Sequence, residues 1–471
     1  MENRIISLAK FPVLLVIIFF LFFLFSGAAW AGDSGEEMQK DIHSPETSFE
    51  NRGGVDNEAL RVLSEYLSQA SLNNPDLEAA FHRWKSALEK VPQVKALPDP
   101  RFTFGYFIRS IETRTGPQRA RFGIAQTFPW FGKLDLKGDM AMQEANALKA
   151  QYDIIKLKIF NSVKNAFYEY AYLAKAVEIS RENIELLRYL ENVIRTRYSA
   201  GATPYSDVIR TQVELGKLED RLKTLEDFRK PIMARLIAAM NMPVDSELPW
   251  PADVPVMLVS LTDKELFEQL PENNPQVKKY EYLEAKAKAG TELAQKEFFP
   301  DFTFGLQTIA TDPASGPMMI EDSGDDPVIA SVSINIPLWG GKRRAAVREA
   351  EAKRLSAVKG NEAIRQALLS DMQLALYRYR DAQRKINLYQ NTLIPKADQS
   401  LGVTLEAFQA GTRSSLDLID AEKTLLEFQL SYIRALADQA QRVAELEMLL
   451  GKEIPCKIHG SLMPKSGIKE R

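Results

Sequence analysis

The stretch Phe102-Thr103-Phe104-Gly105 recurs unchanged as Phe302-Thr303-Phe304-Gly305, 200 residues further along the chain. Asn-Asn-Pro at 73–75 recurs at 273–275 with the same offset, and the Pro-aromatic block at 129–132 is answered at 337–340. A period of this length is far too long for a solenoid repeat. The sequence therefore predicts a duplicated unit of domain size, residues 57–250 and 261–451, with a linker at 251–260 and a tail at 452–471.

Around the repeated stretch, apolar and aromatic residues alternate with small or polar ones. This pattern predicts one β-hairpin at about 101–128 and another at about 301–337. It fits a transmembrane β-barrel, with lipid outside and water inside, and it equally fits a half-buried sandwich in a soluble protein. Three aromatic residues at the strand ends, interpreted as a membrane girdle, favour the barrel: Trp130, Phe131 and Trp339.

Four strands cannot close a barrel, and unpaired strand edges are not tolerated in lipid. If the strands span a membrane, several copies of the chain must therefore share one barrel.

Between the hairpins the sequence predicts long helices. Residues 133–200 contain one glycine and no proline, and apolar residues at 3/4 spacing predict one helix of about 100 Å. The second half predicts a matching helix at 342–410, kinked at Pro395. Tight turns at 201–206 and 411–415 lead into return helices at 207–240 and 416–450, and short helices precede each hairpin.

The N-terminus predicts export. Two basic residues precede an apolar run from 11 to 25, and small residues follow it at 26–31, which is typical of a secretory signal peptide over residues 1–31. An uncleaved anchor is the alternative, because counting on to residue 30 reaches the minimum length of a membrane span. Residues 32–56 are polar and are interpreted as a flexible leader.

The composition excludes several classes of function. The 60 basic and 63 acidic residues leave a formal charge of −3, so there is no basic surface that would indicate nucleic-acid binding. A single cysteine excludes a disulfide framework and a zinc-thiolate site. No catalytic or phosphate-binding motif is present, and Cys456, His459 and Met463 are interpreted as incidental residues of a loose tail. We expect no enzyme activity, no cofactor and no metal site.

The turns carry helix-capping signals. Gly201 and Gly411 stand where a helix end needs a left-handed residue, and Thr203-Pro204 is typical of a helix start. Ser414 and Asp417 have the spacing of a capping box. These signals by themselves indicate only a helical hairpin.

The segment Gly411–Ala421, of sequence GTRSSLDLIDA, closely resembles the periplasmic tip of the TolC family of outer-membrane factors. The duplication, the Pro-aromatic-Gly exits from the strands and Ile394-Pro395 are similar to the same family. The resemblance implies an α+β membrane protein located in the outer membrane with a large periplasmic part. It implies a homotrimer in which four strands per chain form a 12-stranded barrel, continued by a periplasmic α-helical coiled-coil barrel.

The resemblance also implies partners and functional residues. The partners are outer-membrane lipid, a periplasmic adaptor and an inner-membrane pump of the resistance-nodulation-division or ABC type. Asp417 and Asp420 match the family's acidic pore constriction, and Arg413, Ser206 and Asp207 match its gate network. Phe408 replaces a tyrosine of that network and cannot donate its hydrogen bond. The tips that would bind the adaptor are Gly201, Ala202, Thr203, Pro204, Gly411, Thr412, Arg413 and Ser414.

The function implied is a passive exit duct of a tripartite efflux system. Two blocks, 97–100 and 126–129, are similar to the branch that serves heavy-metal and drug exporters. Type I protein secretion is an alternative within the family, and a periplasmic coiled-coil scaffold held by an N-terminal anchor is an alternative outside it. The sequence leaves the transported substrate open.

Overall fold

The computed structural model describes residues 58–315 and 321–460. The predicted signal peptide at 1–31, the whole predicted leader at 32–56 and Met463 lie outside these residues. The helices are α1 Glu58–Asn73, α2 Pro75–Lys95, α3 Lys133–Ser199, α4 Tyr205–Asp227, α5 Arg229–Ala239, α6 Asp263–Asn273, α7 Pro275–Lys296, α8 Gly340–Leu388, α9 Ile394–Gln409 and α10 Ser415–Leu450. The strands are β1 Arg101–Thr113, β2 Gly116–Phe128, β3 Val256–Val259, β4 Phe302–Thr311, β5 Val328–Ile334 and β6 Cys456–His459.

Matching helix starts appear in the two halves. The Asn74 side chain caps α2 by accepting from the backbone N–H groups of residues 76 and 77, and Pro75 follows at the first helical position. Asn274 and Pro275 begin α7 in the same way. An asparagine oxygen satisfies a free N–H of the first turn, and proline has no N–H to leave unpaired there.

Strands β1, β2, β4 and β5 form one antiparallel sheet in the order β1-β2-β4-β5. Directly opposed residues of neighbouring strands share a face, and the register places one set of mostly apolar residues together on one face. These are Phe102, Phe104, Tyr106, Phe122, Ile124, Phe128, Phe302, Phe304, Leu306, Val332 and Ile334. We call this the apolar face. The opposite polar face carries mainly small and polar residues, among them Thr103, Gly105, Arg121, Gly123, Thr303, Gly305, Gln307, Ser331 and Ser333.

The predicted linker and the predicted tail each contain a short strand, so the interpretation of the tail as loose is wrong for residues 456–459. Val256–Val259 and Cys456–His459 pair as antiparallel strands β3 and β6. The segment that follows α10 therefore contains a strand. The sheet is tied to the helices, because Tyr379 of α8 accepts from the Val259 N–H at 2.9 Å and donates to the Met257 carbonyl at 3.1 Å. Four-residue runs of this kind carry too little periodicity to be recognised without their partner.

Two predicted helices are interrupted. The helix predicted at 207–240 is divided at Phe228 into α4 and α5, because Pro231 in the first turn of α5 has no N–H to bond the carbonyl of Asp227. The helix predicted at 342–410 passes through a π-helical turn at Tyr389–Leu393. This turn lies just before Pro395, whose missing N–H interrupts the hydrogen bonds of the helix.

Two hydrophobic cores hold the helices together. The first joins the middle of α3 to α1, α5, α6, α8 and the end of α10, and its largest fully buried side chains include Tyr170 and Phe167. The second runs toward the two turns and joins α3 to α4, α9 and the start of α10. Among the residues that the structure describes, none of the helices has the length and apolarity needed to span a bilayer.

Candidate functional site

The second helical turn, between α9 and α10, is closed by local hydrogen bonds. Gly411 has φ of 80°, which only glycine adopts without strain, and the Thr412 N–H and hydroxyl both donate to the Ala407 carbonyl, at 2.9 and 3.0 Å. The predicted capping box is confirmed: the Asp417 N–H donates to Ser414 Oγ at 3.2 Å, and the Ser414 N–H donates to Asp417 Oδ2 at 3.2 Å.

The two aspartates of the predicted constriction differ in their surroundings. Asp417 is engaged in the cap, and its Oδ2 lies 3.9 Å from Arg413 Nη1, a pair between largely exposed side chains that contributes little to stability. Asp420 is exposed and lies one helical turn further along α10. One chain thus provides two carboxylates near the turn that are open to solvent on the side away from the core.

The first turn, between α3 and α4, is closed in a similar way. Gly201 has φ of 72°, and Thr203 Oγ1 donates to Asp207 Oδ2 at 2.7 Å. Within residues 58–315 and 321–460, no hydrogen bond or ion pair joins Arg413 to Ser206 or Asp207. The predicted gate network between the two turns is therefore not formed within one chain.

A different residue, Arg197, joins the two turns. Its Nη1 donates to the Gln409 carbonyl, and its guanidinium carbon lies 5.0 Å from the centre of the Phe408 ring. Phe408 is 2% exposed, so the phenylalanine that replaces the family's tyrosine packs under this cation instead of donating a hydrogen bond. Sequence analysis missed Arg197, since a cation near a helix end is also an ordinary capping residue.

The buried seam of α10 is polar near the turn. Ser415, Glu422 and Gln429 follow one another at intervals of seven residues and are 1%, 2% and 8% exposed. Gln429 accepts from Asn183 Nδ2 at 3.1 Å, whereas Ser415 Oγ and Glu422 Oε1 are buried without a hydrogen-bond partner. Further along, the same positions carry Leu436, Val443 and Leu450. A seam with polar residues packs less strongly than an apolar one.

Glu422 is the most perturbed acid of this region. The pKa of its carboxyl is raised to about 7, mainly by burial; the charge of Lys423 opposes this rise and that of Glu214 adds to it. Lys423 itself lies 2.9 Å from Glu214 Oε2, so its charge is shared with a second carboxylate. The α10 seam therefore holds a carboxyl group that changes charge near neutral pH.

At the opposite end of α3, the strands join the helices through aromatic and ionic contacts. The Trp130 ring stacks on Phe299 at 5.1 Å between centroids, and Phe131 and Trp339 are each 78% exposed. Lys133, whose side chain is only 3% exposed, lies 2.9 Å from Asp301 Oδ1. Asp301 also accepts from the Trp130 N–H at 2.8 Å. Of the predicted girdle residues, Phe131 and Trp339 are largely exposed, and Trp130 is half-buried against Phe299 and Phe302.

No group of three or more metal-ligating side chains occurs in the part of the chain that the structure describes.

The sequence profile of the outer membrane efflux protein family matches residues 66–242 and 266–452. The chain belongs to this family. The two matched segments correspond to the two halves of the duplicated sequence. The chain is therefore a TolC-like outer-membrane protein with a large periplasmic part, and the resemblance noted from the second turn is confirmed.

Known proteins share this architecture at low identity. Nodulation protein T of Rhizobium leguminosarum bv. trifolii is 22% identical over 83% of this chain and 85% of its own length. The cobalt-zinc-cadmium resistance protein CzcC of Cupriavidus metallidurans is 21% identical over 83% and 90%. The crystal structure of the outer membrane protein VceC from Vibrio cholerae superposes with a TM-score of 0.68, at 20% identity, over 83% of this chain and 97% of that one.

Proposed function

We propose that this chain forms the outer-membrane exit duct of a tripartite efflux system, as a homotrimer with one shared 12-stranded barrel. A periplasmic adaptor and an inner-membrane pump would supply the substrate and the energy. Family membership supports a channel rather than an enzyme or a periplasmic scaffold.

The four-stranded sheet is the main support for this proposal, because in a single chain it has unpaired edges and an uncovered apolar face. Its two outer strands, β1 and β5, each have one edge without a partner strand in the described residues. Its apolar face has no core against it: Phe102 is 68%, Tyr106 64% and Val332 66% exposed. In water such a sheet would aggregate through its edges and its apolar surface.

Both defects are removed if copies of the chain pair edge to edge in a bilayer. Lipid would then cover the apolar face, and the polar face would enclose water. Every backbone group would be paired, as a membrane requires. Three copies supply twelve strands, an even number within the range of outer-membrane barrels.

The long helices would extend this pore through the periplasm. With 67 residues, α3 spans about 100 Å. Four residues connect it to the end of β2, and it ends at the first turn. We propose that both turns meet the adaptor, and that Asp417 and Asp420 line the narrow end of the duct. Six carboxylates around one axis would attract cations. CzcC's description as a metal-resistance protein favours metal or small-molecule efflux over protein secretion.

A cysteine crosslink tests the shared barrel. Within one chain, β1 and β5 are separated by two strands, about 14 Å, and a disulfide needs Cα atoms within about 7 Å. Thr103→Cys combined with Ser331→Cys or Ser333→Cys, in a Cys456→Ser background, can therefore be linked only between copies. We expect oxidation in outer membranes to give dimers and trimers but nothing larger.

Single-cysteine variants serve as controls and should give no species above a dimer. Purified trimer should conduct ions in planar bilayers. Material that stays monomeric after oxidation and carries no current would refute the proposed duct.

A further inference from the structure

The strands of the large sheet carry an unbalanced set of charges. Five charged residues occur in the four strands: Arg101, Arg109, Glu112, Arg119 and Arg121. Arg119 is neutralised by Asp312, 2.8 Å away, and Glu112 lies next to the end of β1. The middle of the sheet therefore has arginine as its sole charged residue type.

Arg121 lies on the polar face at mid-sheet. It stands opposite Gly105 of β1 and Ile309 of β4, and the next row of this face toward the helices, Thr103, Gly123 and Gln307, is uncharged. Its side chain extends over Gly105: a Cβ atom placed on that glycine would stand 3.8 Å from Arg121 Nε. Arg121 is exposed, and among the described residues no carboxylate pairs with it.

Arg101 lies on the same face, opposite Ala125. Ala125 is four residue positions along β2 from Arg121, which corresponds to about 13 Å along the strand. In the regular part of the register, from Arg101 to Arg121, each chain therefore offers two arginines and no acid to the surface that the proposed barrel would enclose.

We propose that Arg121, with its copies in the trimer, forms a cationic ring inside the barrel that favours anionic solutes at the outer exit. The solutes concerned are carboxylates, phosphates and anionic metal complexes, since a guanidinium group binds such oxygens in a planar, two-point geometry. This inference rests on the proposed duct, because the polar face encloses water only if the barrel closes.

The dimensions of the barrel make such a ring effective. Twelve strands about 4.8 Å apart and tilted by about 40° give a radius of about 12 Å. Guanidinium groups on the wall then lie about 8 Å from the axis. The Debye length is about 10 Å at 0.1 M salt and about 3 Å at 1 M, so the ring acts across the whole pore only at low salt.

Reversal potentials of reconstituted channels in a KCl gradient test the proposal. We expect Arg121→Gln to lower the chloride-to-potassium permeability ratio about three- to tenfold near 0.1 M, and by less than about 1.5-fold near 1 M. Arg121→Glu should lower it further. Arg235→Gln removes the same charge from an exposed position on α5 and should leave the ratio unchanged.

A labelled cysteine keeps the test independent of altered assembly. In the Cys456→Ser background, Arg121→Cys should react with water-soluble thiosulfonates. A cationic reagent should raise the chloride-to-potassium permeability ratio back toward the wild-type value, and an anionic reagent should lower it within the same preparation. Wild-type protein without any pore current would overturn the duct and the ring together. If the pores conduct but their chloride-to-potassium permeability ratio is unchanged by Arg121→Gln and by the reagents, the ring alone would be overturned.

Discussion

Replacing Glu422 should change how the second turn responds to pH. The carboxyl group is 2% exposed, and one of its oxygens has no hydrogen-bond partner. Burial raises its pKa from 4.5 to about 7. The neutral form therefore fits the packed α10 seam, and the ionised form does not.

The direction of this pH effect follows from the linkage between proton binding and folding. A carboxyl whose pKa is raised in the folded state leaves the packed turn most stable below about pH 4.5, and that stability is lost as the pH rises through 7. The raised pKa corresponds to about 3 kcal/mol between the two limits. We expect Glu422→Gln to remove this dependence and Glu422→Leu to stabilise the packed turn at pH 8.

Amide hydrogen exchange of the first turns of α10 measures the effect, after correction for the intrinsic dependence of exchange on pH. Wild-type protection should fall by on the order of a hundredfold between pH 5 and pH 8. Glu427→Gln, an exposed change on the same helix, should behave as wild type. If the Glu422→Gln protein loses protection in parallel with wild type, the burial argument is wrong.

Three further changes test the turns and the junction. Ser414→Ala removes the cap of α10 and should cost about 1 kcal/mol, seen as faster amide exchange in its first turn; unchanged exchange would contradict the cap. Gly411→Ala should lower the free energy of unfolding by about 1 kcal/mol because Gly411 has a positive φ. Gly402→Ala, within a helix, should raise it by about as much. The two changes in unfolding free energy, measured by urea denaturation, should therefore have opposite signs. Lys133→Met leaves the partly buried carboxylate of Asp301 without its ammonium partner and should cost about 2 kcal/mol, while exposed Lys137→Met should leave the melting temperature unchanged.

Local patterns predicted the repeated elements because each pattern reflects a short-range cause. The alternation in both hairpins survives in the register, where residues 102, 124, 306 and 334 all fall on the apolar face. The Ser414 capping box was also visible, since its two members are three residues apart and depend on nothing else.

Other features depend on contacts distant in sequence. Strand β6 exists because Cys456–His459 meets Val256–Val259, about 200 residues away, and neither segment shows this alone. Arg197 was missed for the same reason: its partner Gln409 belongs to the other half of the chain. In the sequence, Glu422 cannot be distinguished from the other acidic residues; only the packing of the helices shows that it is buried.

The amino-acid order alone determined the duplication, the pattern of strands and long helices, and the positions of both turns, because periodicity and capping act over a few residues. Only the tertiary structure decided which side chains lose their water and which distant segments pair. Burial and pairing depend on how the two halves pack together, and that arrangement also leaves Arg121 unpaired on the polar face.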